Sequence, residues 1–221
     1  MTWDEYAEAW SGLHGGFDPR RASPLIRGWV RAAYRIGLWL GGKGVTPFTV
    51  TLAGVAICLA VPLSAAAGAP GLALGAGLVL LAAAADGLDG AVAVITGRVT
   101  RAGYVYDSVA DRIGEAAWLT AFWLAGAPAW LTVAAGAASW LHEYVRARAT
   151  AAGMPDIGVV TVGERPTRVA VTVTGLILTP LAAVIVPGRV AAVLATAVAA
   201  WLILQLVGLA QLTVAVRAAL R

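Results

Sequence analysis

Charged residues are scarce in this sequence. Asp, Glu, Lys and Arg make up only 13% of the 221 residues, whereas 60% are hydrophobic and the mean hydropathy is +0.80. A soluble domain of this size does not require so many apolar residues, so the composition indicates an integral membrane protein.

Cysteine is almost absent as well. The single cysteine, Cys58, excludes an intrachain disulfide framework, and its apolar surroundings favour a packing role. Neither a Cys/His cluster with zinc-ligand spacing nor a G-x-x-x-x-G-K-[ST] phosphate loop occurs in the sequence. Structural zinc and nucleoside-triphosphate hydrolysis are therefore not indicated. The N-terminal stretch is acidic and amphipathic, so we expect no cleavable signal peptide.

Apolar residues form six stretches that are each long enough to cross a hydrocarbon core at a rise of about 1.5 Å per residue. We place these spans at 48–67, 71–95, 104–126, 129–151, 169–187 and 190–216. Gly and Pro residues mark several of the turns between them. The predicted fold is an all-α integral membrane protein, in which an N-terminal amphipathic surface helix precedes a six-helix transmembrane bundle.

The predicted surface helix begins at Ser23, a suitable N-cap, and Pro24, which suits the first helical position. Arg27, Arg31 and Arg35 then recur at every fourth position among apolar and aromatic residues. Such a helix lies in the headgroup plane of a membrane, because it carries too much charge to span. The preceding 22 residues fit either a short amphipathic helix or an irregular surface segment.

Basic residues outnumber acidic ones by 16 to 12, and they fall into separate clusters between the apolar stretches. This distribution indicates membrane topology and contact with anionic lipids rather than nucleic acid. One side of the predicted bundle carries only Arg189, so the positive-inside rule places both termini in the cytoplasm of a multi-pass cell-membrane protein. We divide the chain into a cytoplasmic N-terminal segment, 1–44, and a transmembrane domain, 45–221.

Four aspartates interrupt the apolar pattern at the predicted cytoplasmic ends of spans two and three. Asp86 and Asp89 share a helix face three residues apart, and Asp107 and Asp111 share one four residues apart. Clustered carboxylates near hydrocarbon repel one another and are costly to desolvate. Oxygen donors suit hard cations, so two Mg²⁺ or Mn²⁺ ions would balance the charge and leave positions for a phosphate. An ion pathway through a transporter is the alternative from another class.

The stretch also resembles a known signature. The pattern D-x-x-D-G-x-x-A-R-x8-G-x3-D-x3-D is that of the CDP-alcohol phosphotransferase family, and seven of its eight specified positions match here. The matching residues are Asp86, Asp89, Gly90, Ala93, Gly103, Asp107 and Asp111. Further stretches, 144–149 and 163–168, resemble the branch that uses phosphorylated polyol acceptors, notably phosphatidylinositol-phosphate synthases of actinobacterial type.

The resemblance implies that an acceptor hydroxyl attacks the β-phosphorus of a CDP-lipid such as CDP-diacylglycerol and releases CMP. The acceptor would be a polyol phosphate such as inositol phosphate or glycerol phosphate. Asp86, Asp89 and Asp107 would ligate Mg²⁺ or Mn²⁺, and Asp111 would be both a ligand and the general base. The family also implies a homodimer within the membrane lipids.

The resemblance further implies two groups of binding residues. The CDP-lipid would contact Thr46, Pro47, Thr49, Gly90, Ala93, Thr100 and Gly103. Arg146 and Arg148 would hold the acceptor phosphate, because a planar guanidinium matches it. The alternative for this arginine pair is a plain topology signal.

One position departs from the signature: Val94 stands where the family has arginine. A catalytically weakened member is therefore a further alternative, with Arg98, Arg101 or Arg112 as candidate replacements. Restoring arginine at position 94 is expected to tighten donor binding. Elsewhere, we expect Glu115 to support the metal ligands.

Overall fold

The computed structural model describes residues 1–154 and 159–221, and these residues form helices joined by short links, with no strand among them. The helices are α1 (Trp3–Leu13), α2 (Pro24–Gly42), α3 (Pro47–Ala65), α4 (Gly68–Ile95), α5 (Arg101–Leu124), α6 (Ala129–Ala151), α7 (Arg165–Ile185) and α8 (Val190–Ala219). A 3₁₀ turn, Pro187–Arg189, precedes α8. The all-α prediction is confirmed.

Four helices in the described ranges are long and apolar enough to cross a membrane: α3, α4, α7 and the segment Pro187–Ala219 that contains α8. Helices α5 and α6 have comparable lengths of 24 and 23 residues, but each carries several charged side chains. The chain is therefore a multi-pass membrane protein. The count of six spans stays a prediction, because composition alone assigns only four.

The first 22 residues contain a well-capped helix, which decides between the two alternatives left open by the sequence. The Thr2 hydroxyl accepts a hydrogen bond from the Glu5 backbone N–H at 3.3 Å, and the Glu5 carboxylate accepts one from the Thr2 N–H at 2.6 Å. This reciprocal pair is a capping box. After α1, Gly15 and Gly16 adopt positive φ angles of 64° and 83°, which L side chains rarely tolerate.

Helix α2 matches the predicted surface helix. The Ser23 hydroxyl accepts from the Ile26 N–H at 3.4 Å, and Pro24 occupies the first turn. Arg27, Arg31 and Arg35 are all exposed. The helix begins at Pro24, as predicted, and ends at Gly42; its place in the headgroup plane stays a prediction.

The chain divides into two compact units, which are described separately. The first consists of Met1–Ala56 and Leu81–Asp111, and the second of Ile57–Leu80 and Arg112–Arg221. In the first unit, α2 packs closely on α4 at Gly37: a Cβ there would lie 2.7 Å from Ile95 Cδ1 and 3.3 Å from Ala91 Cβ. Glycine permits this approach of two helix backbones. The predicted domain boundary between residues 44 and 45 stays a prediction.

In the second unit, α8 packs against α6 and α7 around fully buried Trp118, Phe122 and Trp201. The Trp201 indole N–H donates to the Ser139 hydroxyl at 2.8 Å, which satisfies a polar group in the core. At Gly175 a Cβ would lie 2.8 Å from Phe122 Cζ, so this glycine too marks a close helix contact. Small residues thus set the packing in both units, as is typical of membrane helices.

Candidate functional site

Three of the four signature aspartates converge in the first unit. Asp86 lies on α4, and Asp107 and Asp111 lie on α5; one carboxylate oxygen of each is within 4.8 Å of the others. All three side chains are half-buried. The predicted meeting of the two halves of the motif is therefore observed for these three residues.

Asp89 takes a different position. It lies one helical turn from Asp86 and is only 7% exposed, and its Oδ2 accepts a hydrogen bond from the Thr51 hydroxyl at 2.6 Å. Thr51 belongs to α3, so this bond ties the second signature aspartate to a neighbouring helix. Binding of a cation by Asp89 stays a prediction.

The turn between α4 and α5 brings the two acidic pairs together. Gly97 has a φ of 66°, its N–H donates to the Val94 carbonyl at 3.2 Å, and the Arg98 N–H donates to the Ala93 carbonyl at 2.8 Å. These two bonds form a Schellman motif, which ends α4 and reverses the chain. The Thr100 hydroxyl then accepts from the Gly103 N–H at 3.0 Å and caps α5.

A cavity of about 730 Å³ lies within the first unit, beside the acidic residues. Asp86, Asp89 and Asp107 line it. Six of the seven residues predicted to bind the CDP-lipid also line it: Thr46, Pro47, Gly90, Ala93, Thr100 and Gly103. A Cβ at Gly90 would meet no atom within 4 Å, so its backbone faces open space.

Thr49, the seventh residue predicted to bind the CDP-lipid, does not line this cavity. Its hydroxyl lies 2.8 Å from the Thr46 hydroxyl, which also accepts from the Thr49 N–H at 3.2 Å. Thr46 thus caps the start of α3 as well as lining the cavity. The capping role explains why a threonine precedes Pro47 at this helix entrance.

Helix α1 supplies a wall of the cavity that the sequence analysis did not predict. Tyr6, Trp10, Leu13 and His14 line it. Trp10 and His14 are stacked, with ring centroids 3.7 Å apart and an interplanar angle of 11°. The aromatic residues recur along this segment at helical spacing, and that spacing was the available signal for a buried face.

Val94 is buried beneath the same helix. It is 6% exposed and forms an apolar cluster with Tyr6, Val30 and Ala91, which are between 1% and 4% exposed. Burial raises the pKa of Tyr6 to about 12, so its phenol is neutral at physiological pH. The position that carries arginine in the signature is therefore part of an apolar cluster at the wall of the cavity here.

The three candidate replacements for that arginine have different surroundings. Arg98 lines the cavity, whereas Arg101 is exposed at the start of α5. Arg112 belongs to the second unit, where it bonds Glu115 at 2.9 Å and Glu143 at 3.1 Å. Arg98 is thus the candidate that shares a cavity with the signature residues.

The second unit contains a buried ionic cluster. Arg168 donates to Glu115 at 2.6 Å, to Glu143 at 2.6 Å and to the Gly163 carbonyl at 2.9 Å. Glu115 and Arg168 are each 1% exposed. The Glu115 Oε1 accepts hydrogen bonds from Arg112 and Arg168, and its expected support of the metal ligands stays a prediction.

The predicted acceptor arginines also lie in the second unit. Arg146 is ion-paired with Glu164 and donates to the Val159 carbonyl at 3.1 Å, so its guanidinium holds the segment 159–164. Arg148 is exposed on the last turn of α6. Binding of an acceptor phosphate by this pair stays a prediction.

These features define a membrane-embedded enzyme with an acidic site beside a large cavity. Residues 45–217 match the CDP-alcohol phosphatidyltransferase profile, and the chain belongs to that family. The match confirms the predicted enzyme class, in which a phosphatidyl group passes from a CDP-lipid to a hydroxyl acceptor.

Two curated relatives are similar over much of their length. The archaetidylinositol phosphate synthase of Pyrococcus horikoshii is 36% identical over 135 residues, which cover 59% of this chain and 70% of that protein. The phosphatidylinositol phosphate synthase of Mycolicibacterium smegmatis is 35% identical over 165 residues, which cover 71% of this chain and 69% of that protein.

A solved structure shows the same fold. The phosphatidylinositol phosphate synthase of Mycobacterium tuberculosis with CDP-DAG bound aligns with a TM-score of 0.68 at 26% identity, over 84% of this chain and 94% of that one. The same enzyme in complex with manganese and citrate aligns with a TM-score of 0.67 at 26% identity, over 84% and 88% of the two chains.

Proposed function

We propose that this protein transfers the phosphatidyl group of CDP-diacylglycerol to inositol phosphate and releases CMP. The observation that carries the proposal is the convergence of Asp86, Asp107 and Asp111 within 4.8 Å beside the cavity. The acceptor is inferred from the two curated relatives, whose names both specify a lipid product with an inositol phosphate headgroup. The donor is inferred from the related structure with CDP-DAG bound.

The acidic residues suit a divalent cation. Carboxylate oxygens this close together repel one another unless a cation lies among them, and oxygen donors are the ligands that Mg²⁺ and Mn²⁺ prefer. Asp86, Asp107 and Asp111 would hold the metal, with Asp89 completing the set for two ions. When bound, the ions stabilise negative charge on the pyrophosphate. The manganese in the related structure supports this assignment.

In the proposed reaction, Asp111 is the general base. Its carboxylate takes the proton of the acceptor hydroxyl, whose oxygen forms a bond to the β-phosphorus. The bond from this phosphorus to the bridging oxygen breaks, and CMP leaves with the electron pair. Gly90 and Gly103 border the cavity without side chains, so the pyrophosphate can approach the backbone there.

The finer membrane assignments belong to the same proposal. Six spans result when α5 and α6 cross the membrane with their charged ends at one surface, and α2 lies in the headgroup plane. The distribution of Lys and Arg supports a cytoplasmic location for the site and both termini in the cell membrane. Close packing at small residues also suits a homodimer.

The assay that tests the proposal follows CMP release by the full-length protein in lipid nanodiscs. We expect release with CDP-diacylglycerol, Mn²⁺ or Mg²⁺ and inositol phosphate, and none when EDTA removes the metal. Unphosphorylated inositol is the matched control, and glycerol phosphate tests the other acceptor predicted from the sequence. Absence of CMP with every acceptor, while a related synthase is active in the same nanodiscs, would rule out the transferase and favour a weakened member or a transporter.

A smaller effect is expected from Thr51→Val, which removes the hydroxyl that donates to Asp89. Loss of such a supporting hydrogen bond lowers metal affinity by about tenfold. Titration of Mn²⁺ by calorimetry measures the change. Thr120→Val is the matched control, because the Thr120 hydroxyl donates to the Ala116 carbonyl in its own helix. Equal Mn²⁺ affinity in the two variants would show that the Thr51 hydroxyl does not support metal binding through Asp89.

A further inference from the structure

Helix α1 is firmly docked on α2, although both lie before the region that matches the family. The Tyr34 hydroxyl donates to the Met1 carbonyl at 2.9 Å, and the Tyr6 and Tyr34 rings are 5.1 Å apart. The Arg31 guanidinium lies 4.9 Å from the centre of the Trp3 ring, within cation–π range. One face of α1, which carries Trp3, Tyr6 and Trp10, therefore packs on α2 and Val94 and borders the cavity, while the opposite face is exposed.

The cavity wall contributed by α1 is aromatic. Trp10 and His14 present stacked rings, and the His14 Nδ1 lies 2.8 Å from the Trp10 carbonyl. A carbonyl oxygen only accepts hydrogen bonds, so Nδ1 carries the proton and the ring orientation is fixed. Fixed aromatic faces bind nucleobases by stacking, independently of base-edge contacts.

A CDP-lipid also requires a positively charged group beside its pyrophosphate. Arg98 lines the same cavity as Trp10, His14 and Asp86. The Arg98 backbone N–H donates to the Ala93 carbonyl, so the Schellman turn fixes the position of the Arg98 backbone. A guanidinium there can bind two phosphate oxygens at once and offsets the negative field of the aspartates.

We propose that α1 and Arg98 form part of the donor-binding site of this chain: Arg98 contacts the pyrophosphate, and Trp10 with His14 forms the wall against the cytidine. The proposal rests on the proposed function for the identity of the donor. It explains how a chain with valine at position 94 retains a cationic contact. The aromatic wall and the cation come from residues outside the eight specified signature positions.

The first test compares Arg98→Ala with Arg101→Ala, a matched removal of an arginine three residues along that does not line the cavity. Loss of a charged hydrogen bond weakens binding by about tenfold to a hundredfold. In Arg98→Ala, we expect affinity to fall by this factor both for CDP-diacylglycerol and for soluble CDP used as a competitor. We expect a change of less than about twofold in Arg101→Ala, as for exposed substitutions generally. The KM for the acceptor should not change in either variant.

The second test compares Trp10→Ala with Trp39→Ala, which removes an exposed tryptophan from α2. Lost stacking should weaken CDP binding by about fivefold or more in Trp10→Ala, and Trp39→Ala should bind CDP like the wild type. Thermal unfolding in nanodiscs checks that each variant keeps its fold. If Trp10→Ala loses affinity for CDP-diacylglycerol but not for CDP, α1 contacts the diacylglycerol part of the donor. That result would overturn the assignment of Trp10 to the cytidine.

The outcomes separate the two proposals. If the wild-type protein releases CMP and Arg98→Ala keeps normal donor affinity, the role of Arg98 is overturned. The proposed function is then unaffected. Wild-type protein that binds CDP-diacylglycerol without releasing CMP overturns the proposed function, and the binding arms still decide the roles of Arg98 and Trp10. Wild-type protein that binds neither CDP-diacylglycerol nor CDP overturns both.

Discussion

Replacing Asp111 with asparagine is expected to lower turnover by about 10²- to 10⁴-fold, the contribution usual for a general base. Asparagine has nearly the same size but cannot take a proton from the acceptor hydroxyl. Asp111 also lies within 4.8 Å of Asp86 and Asp107, so its loss affects the metal as well. The amide oxygen is still a ligand, and we therefore expect a smaller fall in Mn²⁺ affinity, about tenfold.

Single-turnover CMP release at saturating donor and Mn²⁺ measures the catalytic loss, and calorimetry measures the metal affinity. Asp107→Asn is the matched control, because Asp107 is proposed to be a ligand without a role as base. It should lose Mn²⁺ affinity and regain much of its activity at high Mn²⁺, whereas Asp111→Asn should stay inactive. If Asp111→Asn regains CMP release at high Mn²⁺, Asp111 is a metal ligand and not the general base.

Restoring the signature residue with Val94→Arg is expected to destabilise the first unit rather than tighten donor binding. The side chain at position 94 is 6% exposed and packs with Tyr6, Val30 and Ala91. A guanidinium in that apolar cluster leaves a buried charge, which costs about 3 kcal/mol, or else displaces α1 from its site. From the burial of Val94 we thus expect the opposite of the effect that the signature alone implies.

The midpoint of thermal unfolding, followed by tryptophan fluorescence in nanodiscs, measures this effect. Val94→Leu is the control for added size without charge; an extra methylene in a packed core costs about 1–3 kcal/mol, so the loss in Val94→Arg beyond that in Val94→Leu measures the effect of the charge. The double variant Tyr6→Ala, Val94→Arg should lose less stability than the sum of the two single variants, because removing Tyr6 makes room for the guanidinium. Additive losses, or a Val94→Arg variant as stable as the wild type, would show that α1 does not cover position 94.

Much of the fold follows from local sequence features. The boundaries of α2 follow from Ser23 and Pro24 at its start and glycines at its end, because capping depends on residues within one turn. The convergence of Asp86 with Asp107 and Asp111 was equally predictable. Only a short link separates the two halves of the motif, so two helices joined there must bring their carboxylates together.

Charged side chains in apolar helices were harder to assign. Glu115 lies one turn beyond Asp111, and that spacing favoured a role in supporting the metal ligands. Its partner Arg168 is 53 residues away in sequence, and a pairing across that separation depends on how α5 and α7 pack. Local spacing shows that a buried charge needs a partner but does not specify which one.

By itself, the sequence determined a helical membrane protein, the start of α2 and an acidic site of the CDP-alcohol phosphatidyltransferase type. Helical periodicity, capping and a short linking turn each depend on residues that are close in sequence, so they can be predicted without the tertiary structure. Only the tertiary structure decided that Asp89 bonds Thr51, that α1 covers Val94 and that Arg98 borders the cavity. These contacts join residues distant in sequence, and their partners are selected by the packing of whole helices.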